Sequence, residues 1–210
     1  MKIACVLRSG GPYDGRYVRN LRAGVRHGLA GRPATFVCLT DVPDEVAADC
    51  DEVVVLEKNY PGWWSKLELF RLPGPCIYFD LDTLVIGDIG SLYEAVAAAA
   101  VGFWMLKPFL HTETWASGVM AWAGDWSSIY TDFDPERDFQ YDWDQRYIWR
   151  AADRRGVPIS AVQERIPELY SFKRHCQAGP PEGARVICFH GEPRPAKAAA
   201  TVPWVARWWT

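Results

Sequence analysis

The chain has 210 residues, a formal net charge of −3 and a pI of about 5.8. Its hydrophobic residues, 49% of the total, are enough for the core of an ordinary domain, and we expect one domain over residues 1–210. Because there is no basic excess, nucleic acid is not an expected partner. The sequence lacks the apolar stretch of a signal peptide or membrane-spanning helix, which predicts a cytoplasmic protein.

Short apolar runs alternate with segments of helical periodicity along the chain. The predicted strands are residues 2–8, 35–40, 52–57, the run that begins at residue 76, 101–106, 118–123 and 184–190. The predicted helices are residues 16–30, 63–70, 89–100 and 143–156. This alternation predicts an α/β domain with a mostly parallel central sheet flanked by helices. Residues 193–210 are expected to form a surface wrap or tail.

Cysteine and tryptophan are the two residue types whose placement is informative. The six cysteines contain no CxxC pair, so a zinc cage is not expected, and most fall in apolar runs. This predicts buried, free thiols in a reducing compartment. Most of the eleven tryptophans are expected in the core. Some could also offer an apolar platform to a sugar ring or an interface: Trp63-Trp64, Trp143, Trp149, Trp204 and Trp208-Trp209.

The segment CIYFDLDTLVIGD, residues 76–88, places two aspartates directly after an apolar run. Since side chains alternate along a strand, Asp80 and Asp82 are predicted to project from the same face, with Leu81 pointing the other way. Two neighbouring carboxylates repel each other in a partly buried site. Either a shared proton or a divalent cation must therefore neutralise them.

Polar side chains follow several other predicted strands. In open α/β sheets, ligands bind at the carboxyl ends of the strands. Four strand ends here carry polar groups: Arg8 with Ser9, Asp41, the Asp80–Asp82 segment, and His190. We therefore expect these residues to gather at one site.

His190 is the best candidate for a third metal ligand. Hard cations such as Mg2+ and Mn2+ prefer carboxylate oxygens and accept imidazole. His190 ends an apolar run and precedes Gly191, where the backbone can approach a ligand closely. Arg194 and Lys197 would then neutralise phosphate oxygens. A purely structural role for His190 is the alternative, and His111 lies in a polar loop without metal-ligand spacing.

Taken together, these pieces resemble the GT-A glycosyltransferases, particularly glycosyltransferase family 8 with its glycogenin-like and bacterial galactosyl- and glucosyltransferase relatives. YFDLDTLVIGDI resembles the DxD strand of that family. Four other segments match family elements in the family's order: WWSKLELF (63–70), ASGVMAW (116–122), WDQRYIW (143–149) and FHGEPRP (189–195). The chain departs from the pattern at Ala116, where asparagine is usual, and at Arg194, where lysine is usual.

The resemblance implies metal-dependent transfer of a sugar from a nucleotide diphosphate sugar to an acceptor hydroxyl, with retention at the anomeric carbon and with UDP favoured as the nucleotide. It implies that Mn2+ or Mg2+ is held by Asp80, Asp82 and His190 and stabilises the charge on the departing diphosphate. Lys66 and Arg194 would add fixed positive charge, and Asp80 would also reach the ribose.

The resemblance also implies roles for residues around the donor. Those that follow the first strand, where the family binds the nucleoside, are Arg8, Ser9 and Tyr13. Ser117 would hydrogen-bond the sugar, and Asp144 would bind its hydroxyls. Gln145 would lie close to the anomeric carbon on the face that the acceptor attacks.

Structural and mechanistic alternatives stay open for these assignments. Residues 8–13 can be an ordinary turn, Ser117 a packing residue, and Asp144 the start of a helix, where aspartate satisfies free N–H groups. If the transfer inverts the anomeric centre instead, a carboxylate base is required. Asp142 and Asp125 are the candidates for that base.

Two other functions fit parts of the sequence. FDLDTLV resembles the nucleophile motif of haloacid-dehalogenase-like phosphatases, but it lacks the usual glycine before Thr83 and follows several earlier strands. A protein that binds a nucleotide sugar without catalysis also fits, and Ala116 is the feature that favours it. The tail VPWVARWWT is compatible with two arrangements. One is weak contact with a membrane surface through its tryptophans and Arg207, and the other is packing back onto the domain.

Overall fold

The computed structural model describes residues 1–109 and 114–210. The strands within these residues are β1 (Lys2–Leu7), β2 (Thr35–Thr40), β3 (Glu52–Val55), β4 (Cys76–Phe79), β5 (Thr83–Val85), β6 (Gly102–Leu106), β7 (Ala116–Ala123), β8 (Ile159–Ala161), β9 (Leu169–Ser171) and β10 (Val186–Cys188). The α-helices are α1 (Gly15–Leu29), α2 (Pro43–Val46), α3 (Gly90–Ala98), α4 (Ser128–Thr131), α5 (Pro135–Asp138), α6 (Asp144–Asp153), α7 (Phe172–His175), α8 (Pro195–Ala199) and α9 (Pro203–Ala206). The 3-10 helices are Ala47–Asp49, Gly62–Arg71 and Val162–Glu164.

The described strands form two sheets. The central sheet has seven strands in the order β3-β2-β1-β4-β7-β6-β8, and the smaller one has three in the order β5-β10-β9. In the central sheet, β7 pairs antiparallel with both β4 and β6, and all the other pairs are parallel. The α/β prediction with a mostly parallel central sheet is therefore confirmed.

Alternating side chains of the central strands fill two cores, one on each face of the sheet. On β4, Ile77 and Phe79 belong to one core, whereas Cys76 and Tyr78 belong to the other. All four are almost completely buried, as is typical of a parallel strand covered on both faces. Helix α1 covers the first face with its apolar stripe, whose members are Tyr17, Val18, Leu21, Val25 and Leu29.

The prediction that Asp80 and Asp82 share one face of a strand is wrong. Strand β4 ends at Phe79, and the backbone turns at Asp80, whose carbonyl oxygen accepts a hydrogen bond of 3.0 Å from the amide of Thr83. Strand β5 then begins at Thr83 in the smaller sheet. Buried Leu81 anchors this turn. The two aspartates therefore lie where the chain crosses from one sheet to the other.

Other sequence predictions differ from the structure mainly at element ends. The segment 63–70 is helical, but it forms the 3-10 helix Gly62–Arg71 rather than an α-helix. The strand predicted at 52–57 stops at Val55, and the run 184–190 is a strand only at Val186–Cys188. The six cysteines are free, as predicted, and all but half-buried Cys50 are buried.

The carboxyl-terminal segment packs back onto the domain. Val205 is fully buried, and the Trp209 ring lies 4.5 Å from the Tyr17 ring in an edge-to-face arrangement. Thr210 and Asn20 exchange two hydrogen bonds, of 2.7 and 2.9 Å. Because its aromatic rings face the domain, this segment offers no structural support for membrane contact. In the parts of the chain that the structure describes, no helix has the length and apolar character needed to cross a membrane.

Helix α1 lies unusually close to β5, the strand that follows Asp82. A Cβ atom added at Gly24 would lie 2.7 Å from the carbonyl oxygen of Val85, and one added at Gly28 would lie 2.8 Å from that of Gly87. Only a residue without a side chain fits at such distances. The two glycines thereby let α1 hold β5, and with it the turn that carries the aspartates.

Replacing Gly24 with alanine is expected to lower the free energy of unfolding by about 1–3 kcal/mol, because the added methyl group meets backbone atoms that cannot move aside. Gly11→Ala is the matched control, since its added Cβ would lie at an ordinary 3.7 Å from the Arg8 carbonyl oxygen. Urea unfolding of both variants measures the difference. Equal stability of Gly24→Ala and wild type would contradict the close approach of α1.

Candidate active site

A cleft of about 640 Å3 opens at the carboxyl ends of β1 and β4 and beside the end of β10. It gathers most of the predicted site residues: Arg8, Tyr13, Lys66, Asp80, Asp82, Ser117, Asp144, Gln145, His190, Gly191 and Arg194. Ser9 and Lys197 are not among the residues that line it. A second cavity, of about 370 Å3, lies between α7 and the tail and has an uncharged lining.

Lys66 is the centre of a buried charge cluster in this cleft. Its Nζ lies 2.8 Å from Asp80 Oδ1 and 3.6 Å from Asp144 Oδ2. Burial by itself lowers the pKa of Lys66, but the nearby carboxylates of Asp144 and Asp80 outweigh it and raise that pKa, so the side chain stays a cation. Ser117 completes the cluster, since its Oγ donates to Asp144 Oδ2 at 2.9 Å and accepts from Lys66 Nζ at 3.3 Å.

A fully buried glutamate fixes the 3-10 helix that carries Lys66. The carboxylate of Glu68 accepts hydrogen bonds from the amides of Glu57 and Lys58, at 2.7 and 2.8 Å, and from the guanidinium of Arg71 at 2.8 Å. A buried carboxylate is stable only when it is paired in this way. The helix is thereby tied to the loop after β3, which sets the position of Lys66.

Each aspartate of the turn receives a hydrogen bond from a tyrosine. Tyr78, the penultimate residue of β4, donates its hydroxyl to Asp80 Oδ1. Tyr13, from the loop after β1, donates its hydroxyl to Asp82 Oδ2 at 2.9 Å. Burial raises the pKa of both phenols, and the neighbouring carboxylates raise it further, so both tyrosines remain hydrogen-bond donors.

Of the two aspartates in the turn, Asp82 is the one whose ionisation is unfavourable. Its side chain is almost completely buried, and burial together with the negative charge of Asp80 raises its pKa to about 6. The hydrogen bond from Tyr13 and the more distant charge of Lys66 lower the pKa only in part. A cation placed beside this carboxylate would remove the penalty.

The donor chemistry at the turn fits a hard divalent cation, because two acidic side chains line the same cleft. Among residues 1–109 and 114–210, however, no three His, Cys, Asp or Glu side chains form a group that could hold a metal ion. His190 lines the cleft, but its Nε2 shares a 2.6 Å hydrogen bond with Ser171 Oγ, and its ring stacks on Phe109 at 5.7 Å. The three-ligand set of Asp80, Asp82 and His190 therefore stays a prediction, and His111 lies outside the described residues.

Arg194 faces the cleft across the ring of Tyr13. Its guanidinium carbon lies 5.1 Å from the ring centroid, and its NH1 pairs with Glu192 at 2.9 Å. Lys197 also faces Glu192, at 3.7 Å, but its side chain is 76% exposed. Arg194 therefore lines the cleft, whereas Lys197 does not, and phosphate neutralisation by these residues stays a prediction.

The loop after β1 is pinned by the residue that follows β2. Asp41 accepts a hydrogen bond of 2.8 Å from the Ser9 amide and pairs with Arg8 NH1 at 2.9 Å. Arg8 still lines the cleft, whereas Ser9 is bound to Asp41 through both its amide and its hydroxyl. Asp41 thus belongs to the scaffold that positions Tyr13.

Sequence reasoning missed several residues that line the cleft. The sequence could have indicated Tyr78 as a cleft residue, because it lies two residues before Asp80 in an alternating run. Cys188, at the end of β10, is buried close enough to Asp82 that burial and this carboxylate both raise the pKa of its thiol. Phe109 had no signal in the sequence, because its position depends on a contact with His190, 81 positions later.

Comparison with known proteins identifies the fold. No known protein-family model and no curated protein matches the sequence. The chain is similar to the solved structure of the galactosyltransferase LgtC in complex with donor and acceptor sugar analogs, with a TM-score of 0.64 and 12% identity over 99% of this chain and 94% of LgtC. A structure of an LgtC active-site mutant, glutamine to glutamate, gives the same values.

A second similar structure is that of the glycosyltransferase GlyE of Streptococcus pneumoniae TIGR4. Its TM-score is 0.68 and its identity 12%, over 99% of this chain and 60% of GlyE. The chain therefore has the α/β fold of these glycosyltransferases, which agrees with the GT-A resemblance of its motifs. At 12% identity, the likeness establishes the fold, and function has to be argued from the cleft itself.

Replacing Asp82 with asparagine is expected to stabilise the protein in EDTA at pH 7 by up to about 3 kcal/mol, because the wild-type carboxylate ionises against its raised pKa. A folded-state pKa above the unfolded one means that Asp82 favours folding at low pH. This contribution is lost as the pH rises from about 4 to about 6. Wild-type Tm should therefore decline more steeply than the Tm of Asp82→Asn over this range.

The matched control for this measurement is Asp142→Asn, whose side chain is 73% exposed. Its stability should stay within about 0.5 kcal/mol of wild type. Parallel pH profiles for wild type and Asp82→Asn would show that this carboxyl carries no burial penalty.

Proposed function

We propose that the protein is a glycosyltransferase that moves a sugar from a nucleotide diphosphate sugar to an acceptor hydroxyl. The observation that carries the proposal is the placement of the Asp80–Asp82 turn against Lys66 and Asp144, in a cleft at the strand ends of a glycosyltransferase fold. This arrangement puts two acidic groups, a buried cation and a further carboxylate within reach of one ligand. A cleft of about 640 Å3 suits one ligand of nucleotide-sugar size.

The fixed cations of the cleft would bind the diphosphate of the donor. Lys66 is a buried ammonium whose charge is preserved by its carboxylate partners, and Arg194 is a guanidinium at the same cleft. When the glycosidic bond to the diphosphate breaks, negative charge develops on the leaving oxygens, and positive groups already in position stabilise it. Gly191, with a φ of 94°, lets the backbone beside His190 follow the diphosphate closely.

A divalent cation, Mn2+ or Mg2+, would be held by Asp80 and Asp82, with His190 as the third ligand. When bound, it would supply Lewis-acid stabilisation to the diphosphate leaving group. The raised pKa of Asp82 supports this assignment, because a carboxylate buried beside another gains most from a cation. To take part, His190 would exchange its hydrogen bond with Ser171 Oγ or use its other ring nitrogen.

The sugar would lie against Ser117, Asp144 and Gln145. Asp144 is buried and oriented by Ser117 Oγ, so its carboxylate is positioned to accept hydrogen bonds from sugar hydroxyls. Gln145 lines the cleft beside it, and LgtC has a glutamine in its active site. Glutamine cannot act as a base, so the departing phosphate oxygen would take the acceptor proton in a retaining transfer.

An inverting transfer would need a carboxylate base, and neither of the candidates lines the cleft. Asp142 is mostly exposed and lies 3.6 Å from Arg146, and Asp125 caps the turn at Ser127. Retention is therefore part of the proposal. UDP is the nucleotide that the motif resemblance implies, with Arg8 and Tyr13 of the β1 loop beside its nucleoside.

The phosphatase alternative fits the structure less well. The nucleophile of such enzymes follows the first strand, whereas Asp80 follows β4. Its Oδ1, one of the two oxygens that could attack a phosphate, is already held by Lys66 and Tyr78. Binding of a nucleotide sugar without catalysis stays the alternative, because Ala116 stands where the resembled family usually has asparagine.

A thermal-shift screen of nucleotide sugars tests the proposal directly. A UDP-sugar is expected to raise Tm when Mn2+ is present and not when EDTA replaces it, because the metal and the donor bind as one unit. Asp82→Asn should lose this ligand-induced shift although its ligand-free form is more stable, and Asp142→Asn should keep it. A full shift in Asp82→Asn would refute the metal assignment.

Hydrolysis of the donor separates an enzyme from a binding protein. With UDP-glucose and UDP-galactose as probes, we expect slow release of UDP that requires Mn2+ and falls at least tenfold in Lys66→Met. Coupled detection of UDP measures the rate. Metal-dependent binding of either donor without hydrolysis or transfer to any of a broad set of acceptors would favour the non-catalytic alternative.

A further inference from the structure

Two exposed tryptophans stand together at the mouth of the cleft. Trp63 is 49% exposed and Trp143 is 53% exposed, and both line the cleft. Their ring centroids are 5.2 Å apart and their planes meet at 38°, so the two indoles form one continuous apolar patch. Scattered surface hydrophobic residues need no explanation, but two large aromatic rings in contact at a binding cleft do.

The core does not require either indole. The next residue, Trp64, is 6% exposed and packs among Phe133, Phe139 and Tyr147. Trp63 turns away from this cluster and meets Trp143 instead. Of these two consecutive tryptophans, Trp64 is thus buried in the core, whereas Trp63 is half-exposed and lines the cleft.

Both tryptophans are fixed to elements that carry proposed donor contacts. Trp63 is on the 3-10 helix three residues before Lys66, and Trp143 precedes Asp144 at the start of α6. The patch therefore keeps a set position relative to Lys66 and Asp144. Aromatic groups held in this way bind a ligand with little loss of conformational freedom.

We propose that Trp63 and Trp143 form the acceptor subsite, and that the acceptor is a saccharide whose ring stacks its apolar face on this patch. The inference rests on the proposed function, because it takes the cleft interior to be filled by the donor. One ligand of nucleotide-sugar size occupies a cleft of about 640 Å3, so the acceptor binds at the mouth, where the patch lies.

The surroundings of the patch favour a saccharide over a lipid chain or a second copy of this protein. Asp142 and Arg146 flank Trp143 in sequence and have side chains 73% and 41% exposed. A pyranose ring has one apolar face of C–H groups and a rim of hydroxyls. The indoles fit the apolar face, and the exposed Asp142–Arg146 ion pair next to Trp143 offers hydrogen-bonding groups to the hydroxyls. An acyl chain at this place would instead remove water from both charged groups, which costs free energy.

Saturation-transfer NMR tests the subsite with UDP and Mn2+ present at saturation. The probes are lactose, maltose, cellobiose and N,N′-diacetylchitobiose. At least one is expected to receive saturation from wild type, and its signal should fall at least fivefold in both Trp63→Ala and Trp143→Ala. Phenylalanine at either position should keep about half of the signal, because a smaller ring still stacks. UDP affinity, measured by calorimetry, should stay within twofold of wild type.

Trp208→Ala is the matched control, because this half-buried indole in the tail lies beside His27, 5.1 Å from its ring, and does not line the cleft. Its saccharide signal should equal that of wild type.

Undiminished signal in both cleft alanine variants, or no transfer to any probe while UDP binds, would overturn the inference. So would a dimer in sedimentation, or binding to phosphatidylglycerol vesicles, that both alanine variants lose. If UDP does not bind wild type, the proposed function fails. If a saccharide signal is still seen in that case and depends on the two tryptophans, the saccharide site itself is supported.

Discussion

The cleft depends on the electrostatic cost of holding Asp80 and Asp82 side by side in a buried turn. Hydroxyls of two tyrosines meet these carboxylates, and the ammonium of Lys66 faces Asp80 and Asp144. The compensation is uneven, because Asp82 is the more buried of the pair and keeps a raised pKa. A positive charge placed beside Asp82 would offset this imbalance.

Lys66 joins the two halves of the proposed donor site. On one side it pairs with Asp80 at the diphosphate end, and on the other it reaches Asp144 and Ser117 at the sugar end. Its position is set in turn by Glu68, which ties the 3-10 helix to the loop after β3. The chemistry of the cleft is therefore built on buried charge pairs, each of which is stable only while its partner is present.

The sheet and much of the cleft could be predicted from the sequence, because their signals are local. Apolar periodicity indicated the strands and α1, and the polar residues after β1, β4 and β10 indicated where a ligand would bind. Non-local contacts could not be predicted. The turn at Asp80 arises because β5 belongs to a different sheet from β4, and a continuous apolar run does not reveal such a crossing. Lys197 had the right charge, but α8 directs it towards solvent.

The crossing between the sheets has a thermodynamic consequence. Asp80 follows the last residue of β4 in the central sheet, and Asp82 precedes the first residue of β5 in the smaller one. A ligand that grips both carboxylates therefore spans the junction and fixes one sheet against the other. By reciprocity, anything that loosens this junction, including disruption of the α1 contact with β5 far from the ligand, weakens binding by the same free energy. The affinity for such a ligand thus depends on how firmly the two sheets are joined.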